Sequence, residues 1–313
     1  MWIKACLVSF IITAIFEPIL IPFLRKLKFG QTILEDGPSW HGKKQGTPTM
    51  GGIAFVLSTV VAVLVFLCNK KVGGILLCGV MFGLIGFVDD YIKVVKKQNK
   101  GFSASQKFLA QTLVSFAYAM FLYLSFDQTS TKIPFTDIYL ELGILYIPFV
   151  MLVLLATSNS ANLTDGLDGL AASVGSIISL FFAVACASMA GNEGAGVVAG
   201  ALAGGLLGFL IYNAYPAKVF MGDTGSLFIG GLISAVAISA GLEFFLIISA
   251  FVFLFEALSV IIQVSVYKKT KKRVFKMAPV HHHFEMCGWK ETKVVAIFCV
   301  ITLALCAVSY FAL

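Results

Sequence analysis

The chain has 313 residues, of which 59% are apolar and only 12% charged, and it carries a formal net charge of +7. Soluble domains hold roughly a quarter charged residues and about half apolar ones, so this composition is that of a membrane protein throughout. Each crossing consumes ~20 apolar residues, which excludes a large soluble catalytic domain and makes the basic excess a statement about orientation in a bilayer rather than about nucleic acid.

Ten apolar segments follow one another at about 5–24, 51–68, 72–88, 108–126, 141–158, 170–190, 195–213, 225–241, 243–265 and 294–312. The first is interrupted by Glu17-Pro18 and is followed by no small-x-small cleavage site, so it reads as a spanning helix rather than a signal peptide. Before the second comes H-G-K-K-Q-G-T-P-T-M-G-G (His41 to Gly52), which brings Lys43, Lys44, Thr47, Thr49 and a glycine pair to one mouth without forming a Walker loop. The third ends on Asp89-Asp90, where a helix dipole disfavours carboxylates and two adjacent acids raise each other's proton affinity. Something positive should compensate: Lys93, or a divalent cation shared with Asp223.

The next connection is crowded by Lys93, Lys96, Lys97, Lys100 and Lys107, and most such residues serve as orientation and lipid-headgroup charges. The stretch 127–140 has room for a hairpin at most. After the fifth segment, N-S-A-N-L-T-D-G-L-D-G (Asn159 to Gly169) sets Asp165 and Asp168 at i, i+3 on one helical face. Asn162, Thr164 and these acids could cap the sixth helix. Two acids flanked by Gly166 and Gly169, where backbone can approach a ligand, support binding equally well. In the seventh segment, Gly196, Gly200, Gly204 and Gly208 form a small-residue face that close helix packing explains.

Asp223 lies in F-M-G-D-T-G-S (Phe220 to Ser226), and taken alone it reads as an N-cap. In the ninth segment Glu256, Ser259 and Gln263 share a face; a carboxylate in the apolar phase is costly, and an interhelical hydrogen bond is the expected role for Glu256, as for Glu17. The basic run 268–276 leads into M-A-P-V-H-H-H-F-E (Met277 to Glu285). Adjacent His281, His282 and His283 cannot all aim at one zinc ion, and imidazoles donating to phosphate or sugar oxygens suit the anionic theme better.

Lys and Arg accumulate in loops that stay cytoplasmic. The connections 25–50, 89–107, 214–224 and 266–293 hold 19 of the 23, leaving Lys4, Lys70, Lys71 and Lys132 on the other side. The expectation is an all-α, polytopic integral membrane protein of about ten transmembrane helices. Residues 1–313 form one catalytic domain with both termini extracytoplasmic and the site on the cytoplasmic side. Five of the eight Asp fall at that interface, whereas a transporter would more often bury its acids near mid-membrane.

G-T-P-T-M-G-G, Asp89-Asp90-Tyr91, N-L-T-D-G-L-D-G, F-M-G-D-T-G-S, E-A-L-S-V-I-I-Q and M-A-P-V-H-H-H-F-E span almost the whole chain. In this order they resemble the polyprenyl-phosphate N-acetylhexosamine-1-phosphate transferases, and within them the muramoyl-pentapeptide branch of peptidoglycan synthesis. The resemblance implies transfer of phospho-MurNAc-pentapeptide from UDP-MurNAc-pentapeptide to undecaprenyl phosphate, with lipid I and UMP as products. It implies Mg²⁺ on Asp223, with Asp89 and Asp90 serving the metal or the incoming lipid phosphate. Phe220 would stack on uracil, with Lys44, Thr49, Asn162, Asp165, Asp168, Asn213 and Gln263 around the nucleoside. Lys93 and Lys107 would meet phosphates, and His281, His282 and His283 the sugar-phosphate side. Membrane lipids and a second copy of the chain are the other expected partners; nucleic acid is not one. A sister activity on phospho-GlcNAc shares the Asp motifs, and the His segment is what favours the muramoyl substrate. A cation-coupled transporter is the competing class.

Overall fold

The computed structural model describes residues 1–26, 44, 46–67, 69–95 and 101–313. Lys43, Lys96, Lys97 and Lys100 lie outside the described residues. In chain order the helices are α1 (Trp2–Lys26), α2 (Gly52–Phe66), α3 (Lys70–Val95), α4 (Ala104–Phe126), α5 (Tyr146–Thr164), α6 (Leu170–Ser188), α7 (Glu193–Asn213) and α8 (Gly222–Ser239). They continue with α9 (Phe245–Ser249), α10 (Phe251–Thr270), α11 (Val280–Met286) and α12 (Glu291–Phe311). Among the described residues nine of these are long and apolar enough to cross a membrane, and Gly52–Phe66 is a shorter apolar helix. At 15 residues α2 rises roughly 22 Å, short of a full hydrocarbon core, and it packs against α1, α7 and α8. The segment 127–140 does hold a hairpin: β1 (Ser130–Lys132) pairs antiparallel with β2 (Tyr139–Glu141), Ser130 opposite Glu141.

The bundle is built around α8, whose residues are buried almost throughout and which packs on α3 and α5. Small residues allow this. The Cβ missing from Gly86 of α3 would collide with the Asp223 carbonyl, so α8 starts directly against the α3 backbone. The α7 glycine face does what packing predicts: Gly200, Gly204 and Gly208 meet the α1 backbone at Trp2, Cys6 and Phe10, and Gly196 meets α6.

Two boundaries differ from the sequence expectation. Helix α3 does not end at Asp89-Asp90 but runs on to Val95, because Lys93 one turn later pairs with Asp89 at 2.6 Å and supports a further turn. The ninth apolar segment is two helices, broken at Ala250. Glu17, expected to bond across helices, is fully buried, and among the described residues neither carboxylate oxygen has a hydrogen-bond partner.

Candidate active site

Local rules place the carboxylates before any long-range contact does. Ser103 and Gln106 form a capping box that starts α4, which puts Lys107 in its first turn. The preceding Phe102 N–H donates to Asp89 Oδ1 at 2.6 Å, tying that start to α3. Across the site, Phe220 N–H donates to the Pro48 carbonyl at 2.8 Å, and Gly51 N–H donates to the Phe220 carbonyl at 2.9 Å. These bonds lock the segment before α2 against the entry to α8. Gly222 then takes φ +71°, and a Cβ there would press on Asp90 Oδ2 and Thr49 Oγ1.

Asp223 is therefore in the first turn of α8, not its N-cap; the cap position is Met221, which makes no side-chain capping bond. The cap comes from another helix. Asp90 accepts the N–H of Asp223 at 3.1 Å, the N–H of Thr224 at 2.9 Å and the Thr224 hydroxyl at 2.7 Å. Asp90 thus satisfies the free amides of α8 and fixes the direction in which Asp223 projects.

Asp223 Oδ2 receives Lys93 Nζ at 2.9 Å and Lys107 Nζ at 2.8 Å, and its Oδ1 receives Asn162 Nδ2 at 2.9 Å. Lys93 also reaches Asp89 at 2.6 Å, so one ammonium bridges two carboxylates, which is the compensation expected for the acid pair. Asp89, Asp90 and Asp223 each offer an oxygen within 4.8 Å of the others. A set of oxygen donors at this spacing suits a hard divalent cation, and Lys93 stands where such an ion would be shared. Lys107 and Asn162 also line a cavity of about 530 Å³ that runs along α4 and α5 past Phe108, Gln111 and Asn159.

A second polar group adjoins the first. Asp165 and Asp168 lie in the turn between α5 and α6, and neither caps α6: its cap is Gly169, without a side-chain bond. Asp168 instead accepts Lys44 Nζ at 2.6 Å and the Ala217 N–H at 2.9 Å. Gly169 N–H donates to Asn213 Oδ1 at 3.1 Å, and Asn213 Nδ2 donates to the Val219 carbonyl at 2.9 Å. Asn213 thereby carries the loop in which Phe220, half-buried, follows. Burial, reinforced by Asp223, Asp90 and Asp168, pushes the Asp165 carboxyl well above the usual range. For Lys44, burial acts downward, but its hydrogen bonds to Asp168 and Glu291 outweigh it and the net shift is upward.

The three histidines diverge. His281 is buried with Nδ1 3.1 Å from Glu256 Oε2, so the α10 acid pairs with the His segment. Gly166 makes room for His281 Nε2 rather than for open approach of a ligand. His282 pairs with Glu285 at 2.8 Å. His283 Nδ1 accepts the Lys276 N–H at 3.1 Å, and its ring packs on Phe275. Gln263 is spent on the same loop: it accepts the N–H groups of Val274 and Phe275 and donates to the Phe275 carbonyl. The structure therefore brings Thr49, Asp89, Asp90, Lys93, Lys107, Asn162 and Asp223 together, sets Lys44, Asp165, Asp168 and Asn213 beside them, and leaves Gln263 and His283 supporting the 274–276 chain. Sequence reasoning missed Thr224, whose hydroxyl completes the cap, and Glu291, which reads as an ordinary acid at a helix start.

Comparison with known proteins decides the family. A phospho-N-acetylmuramoyl-pentapeptide-transferase signature matches residues 44–56, and the glycosyl transferase family 4 profile matches residues 72–241. Phospho-N-acetylmuramoyl-pentapeptide-transferases of Clostridium botulinum (strain Alaska E43 / Type E3) and Clostridioides difficile (strain 630) are 49% and 48% identical. They cover 99% and 98% of this chain, and 96% of each relative is matched. That of Acetivibrio thermocellus is 49% identical over 98% of this chain and 94% of its own. The chain belongs to the phospho-N-acetylmuramoyl-pentapeptide-transferase family. The transferase signature covers Lys44 and Thr49, and the broader profile covers all three clustered aspartates. Gln263, the histidines and Glu291 fall beyond that profile, in a stretch matched by the full-length transferase relatives.

Proposed function

We propose that this chain transfers phospho-MurNAc-pentapeptide from UDP-MurNAc-pentapeptide to undecaprenyl phosphate at the cytoplasmic face of the bacterial membrane, forming lipid I and releasing UMP. The single observation that carries the reading is the convergence of Asp89, Asp90 and Asp223 with Lys93 and Lys107 at one end of the bundle. Full-length kinship to enzymes of that name supports it. One reactant is polar and the other is held in the bilayer, so their phosphates must meet where a helical bundle ends. The cavity along α4 and α5, lined by Lys107, Asn162, Asn159 and Gln111 beside Phe108, suits a phosphate-bearing head group.

In this reading an oxygen of the lipid phosphate attacks the phosphorus next to the sugar. The bond from that phosphorus to the bridging oxygen breaks, and UMP leaves with the electron pair. Lys93 and Lys107 hold phosphate oxygens, and Asn162 orients Asp223. Asp89, with its two oxygens already taking Phe102 N–H and Lys93, acts as an orienting group; a phosphate monoester near neutral pH has little proton left to remove. Asp223, Asp89 and Asp90 would hold Mg²⁺, which supplies the positive charge that lets two phosphates approach. The three acids Asp89, Asp90 and Asp223 outnumber the two ammonium groups of Lys93 and Lys107 beside them, a donor set that suits a divalent cation. Phe220 would offer its ring to uracil, and His281 and His282 would serve the sugar-phosphate side.

The test is UMP release by purified protein given undecaprenyl phosphate and either UDP-MurNAc-pentapeptide or UDP-GlcNAc, with Mg²⁺ or with EDTA. Mg²⁺-dependent product from the muramoyl nucleotide alone is expected. Product from UDP-GlcNAc alone would move the chain to the sister activity, and cation flux in liposomes without product would make it a transporter.

A further inference from the structure

Glu291 opens α12 at the active-site end of the bundle, and its side chain is only 9% exposed. A dipole-complementing acid needs no such burial; exposed at the helix start it would serve equally well without paying for desolvation. Its Oε1 instead does two jobs. It takes Lys44 Nζ at 2.6 Å and accepts the backbone N–H of Asp168 at 2.5 Å. One oxygen from the last helix therefore joins the segment before α2 to the turn between α5 and α6. Asp168 closes the ring by accepting the same ammonium through Oδ1.

The charge balance says what this group can bind. Two carboxylates against one ammonium leave Lys44 with no surplus positive charge, so it is a poor anchor for phosphate and a good directional donor to a neutral acceptor. In the adjoining group Lys107 meets a single carboxylate, that of Asp223, and is better placed than Lys44 to take a phosphate. A nucleotide sugar whose phosphates lie there presents its uncharged, hydrogen-bonding end to Lys44. The half-buried ring of Phe220, on the loop that Asn213 holds, suits a planar base.

We infer that Glu291 is a positioning residue for the nucleoside end of the substrate, fixing Lys44 and the Asp168 turn and acting on nucleotide binding rather than on phosphate transfer. This rests on the proposed transferase reading. In Glu291→Ala the KM for UDP-MurNAc-pentapeptide should rise about tenfold, while kcat stays within about twofold and the KM for undecaprenyl phosphate does not move. Glu291→Gln keeps an acceptor oxygen for both donors and should restore most of the loss. Glu291→Asp, too short to reach both, should raise the nucleotide KM severalfold and serves where the alanine variant does not fold. Calorimetric binding of UMP reads the same effect without turnover. Unchanged UMP binding in Glu291→Asp, or a fall in kcat with both KM values unchanged, would overturn the inference. A wild-type protein that binds UMP, loses that binding on Glu291 substitution and makes no lipid I would overturn the transferase reading and leave the positioning role standing.

Discussion

Buried acids stand at both ends of this bundle, and they are treated differently. At one end Glu243, in the link between α8 and α9, is 2% exposed and takes the Tyr146 hydroxyl at 2.5 Å. Tyr146 is held in turn by Gln128 at 2.8 Å, and among the described residues no ion pair reaches Glu243. Burial pushes this carboxyl up to about 7. At the other end Asp89, Asp90 and Asp223 share two lysines, an asparagine and the amides of α8, next to a cavity. A lone acid that takes one neutral hydroxyl, itself held by an amide, is a tether for the hairpin end. Several acids sharing ammonium groups beside a cavity are a place where phosphate and metal can exchange with lysine.

That contrast can be broken most severely at Asp223. Asp223→Asn keeps the bond from Asn162 and removes the charge, and turnover should fall about a thousandfold or more with the fold intact; near-normal UMP release would remove this end of the bundle from the chemistry. Asp90→Asn sharpens the claim that Asp90 acts through α8. An amide cannot accept from Asp223 N–H, Thr224 N–H and the Thr224 hydroxyl at once, so kcat should drop about a hundredfold and thermal stability by about 1 kcal/mol. Unchanged thermal stability in Asp90→Asn would show that Asp90 does not cap α8 and leave it only its place in the metal seat.

The smallest effect on activity belongs to Glu243→Gln, which should leave turnover within about twofold. Its effect is on the pH dependence of stability. A carboxyl raised from 4.5 to about 7 binds its proton more tightly in the folded protein. Its contribution is complete below the unfolded value and is lost as pH climbs through 7. Melting temperature in detergent should fall between pH 5 and pH 8 in the wild type, and less steeply in Glu243→Gln. Parallel curves would show that Glu243 is ionised throughout.

Hydropathy made the crossings legible because a bilayer imposes one length and one composition on each. The acids were legible as well, since Asp at helix ends on the basic side has few bland uses. What each acid does was not. Asp90 as a cap for α8 depends on Gly86 letting a distant helix start against α3, a contact with no local signature. The same limit hid the end of α3, where Lys93 reads as loop until Asp89 and Asp223 are seen to hold it. Gln263 and His283, which the family resemblance put at the substrate, stabilise the loop 274–276 because backbone groups without helix partners need side chains to satisfy them. Glu291 was passed over because an acid at a helix start already has an adequate explanation, and only its burial and its two partners argue for more.

The central claim is that Asp89, Asp90 and Asp223 form a shared seat for a divalent cation. Crystals soaked in Mn²⁺ and measured at its absorption edge test this directly. The account predicts one anomalous peak within coordinating distance of Asp223, with Lys93 displaced, and no peak in Asp223→Asn. A peak elsewhere in the molecule, or one that persists unchanged in that variant, would contradict it.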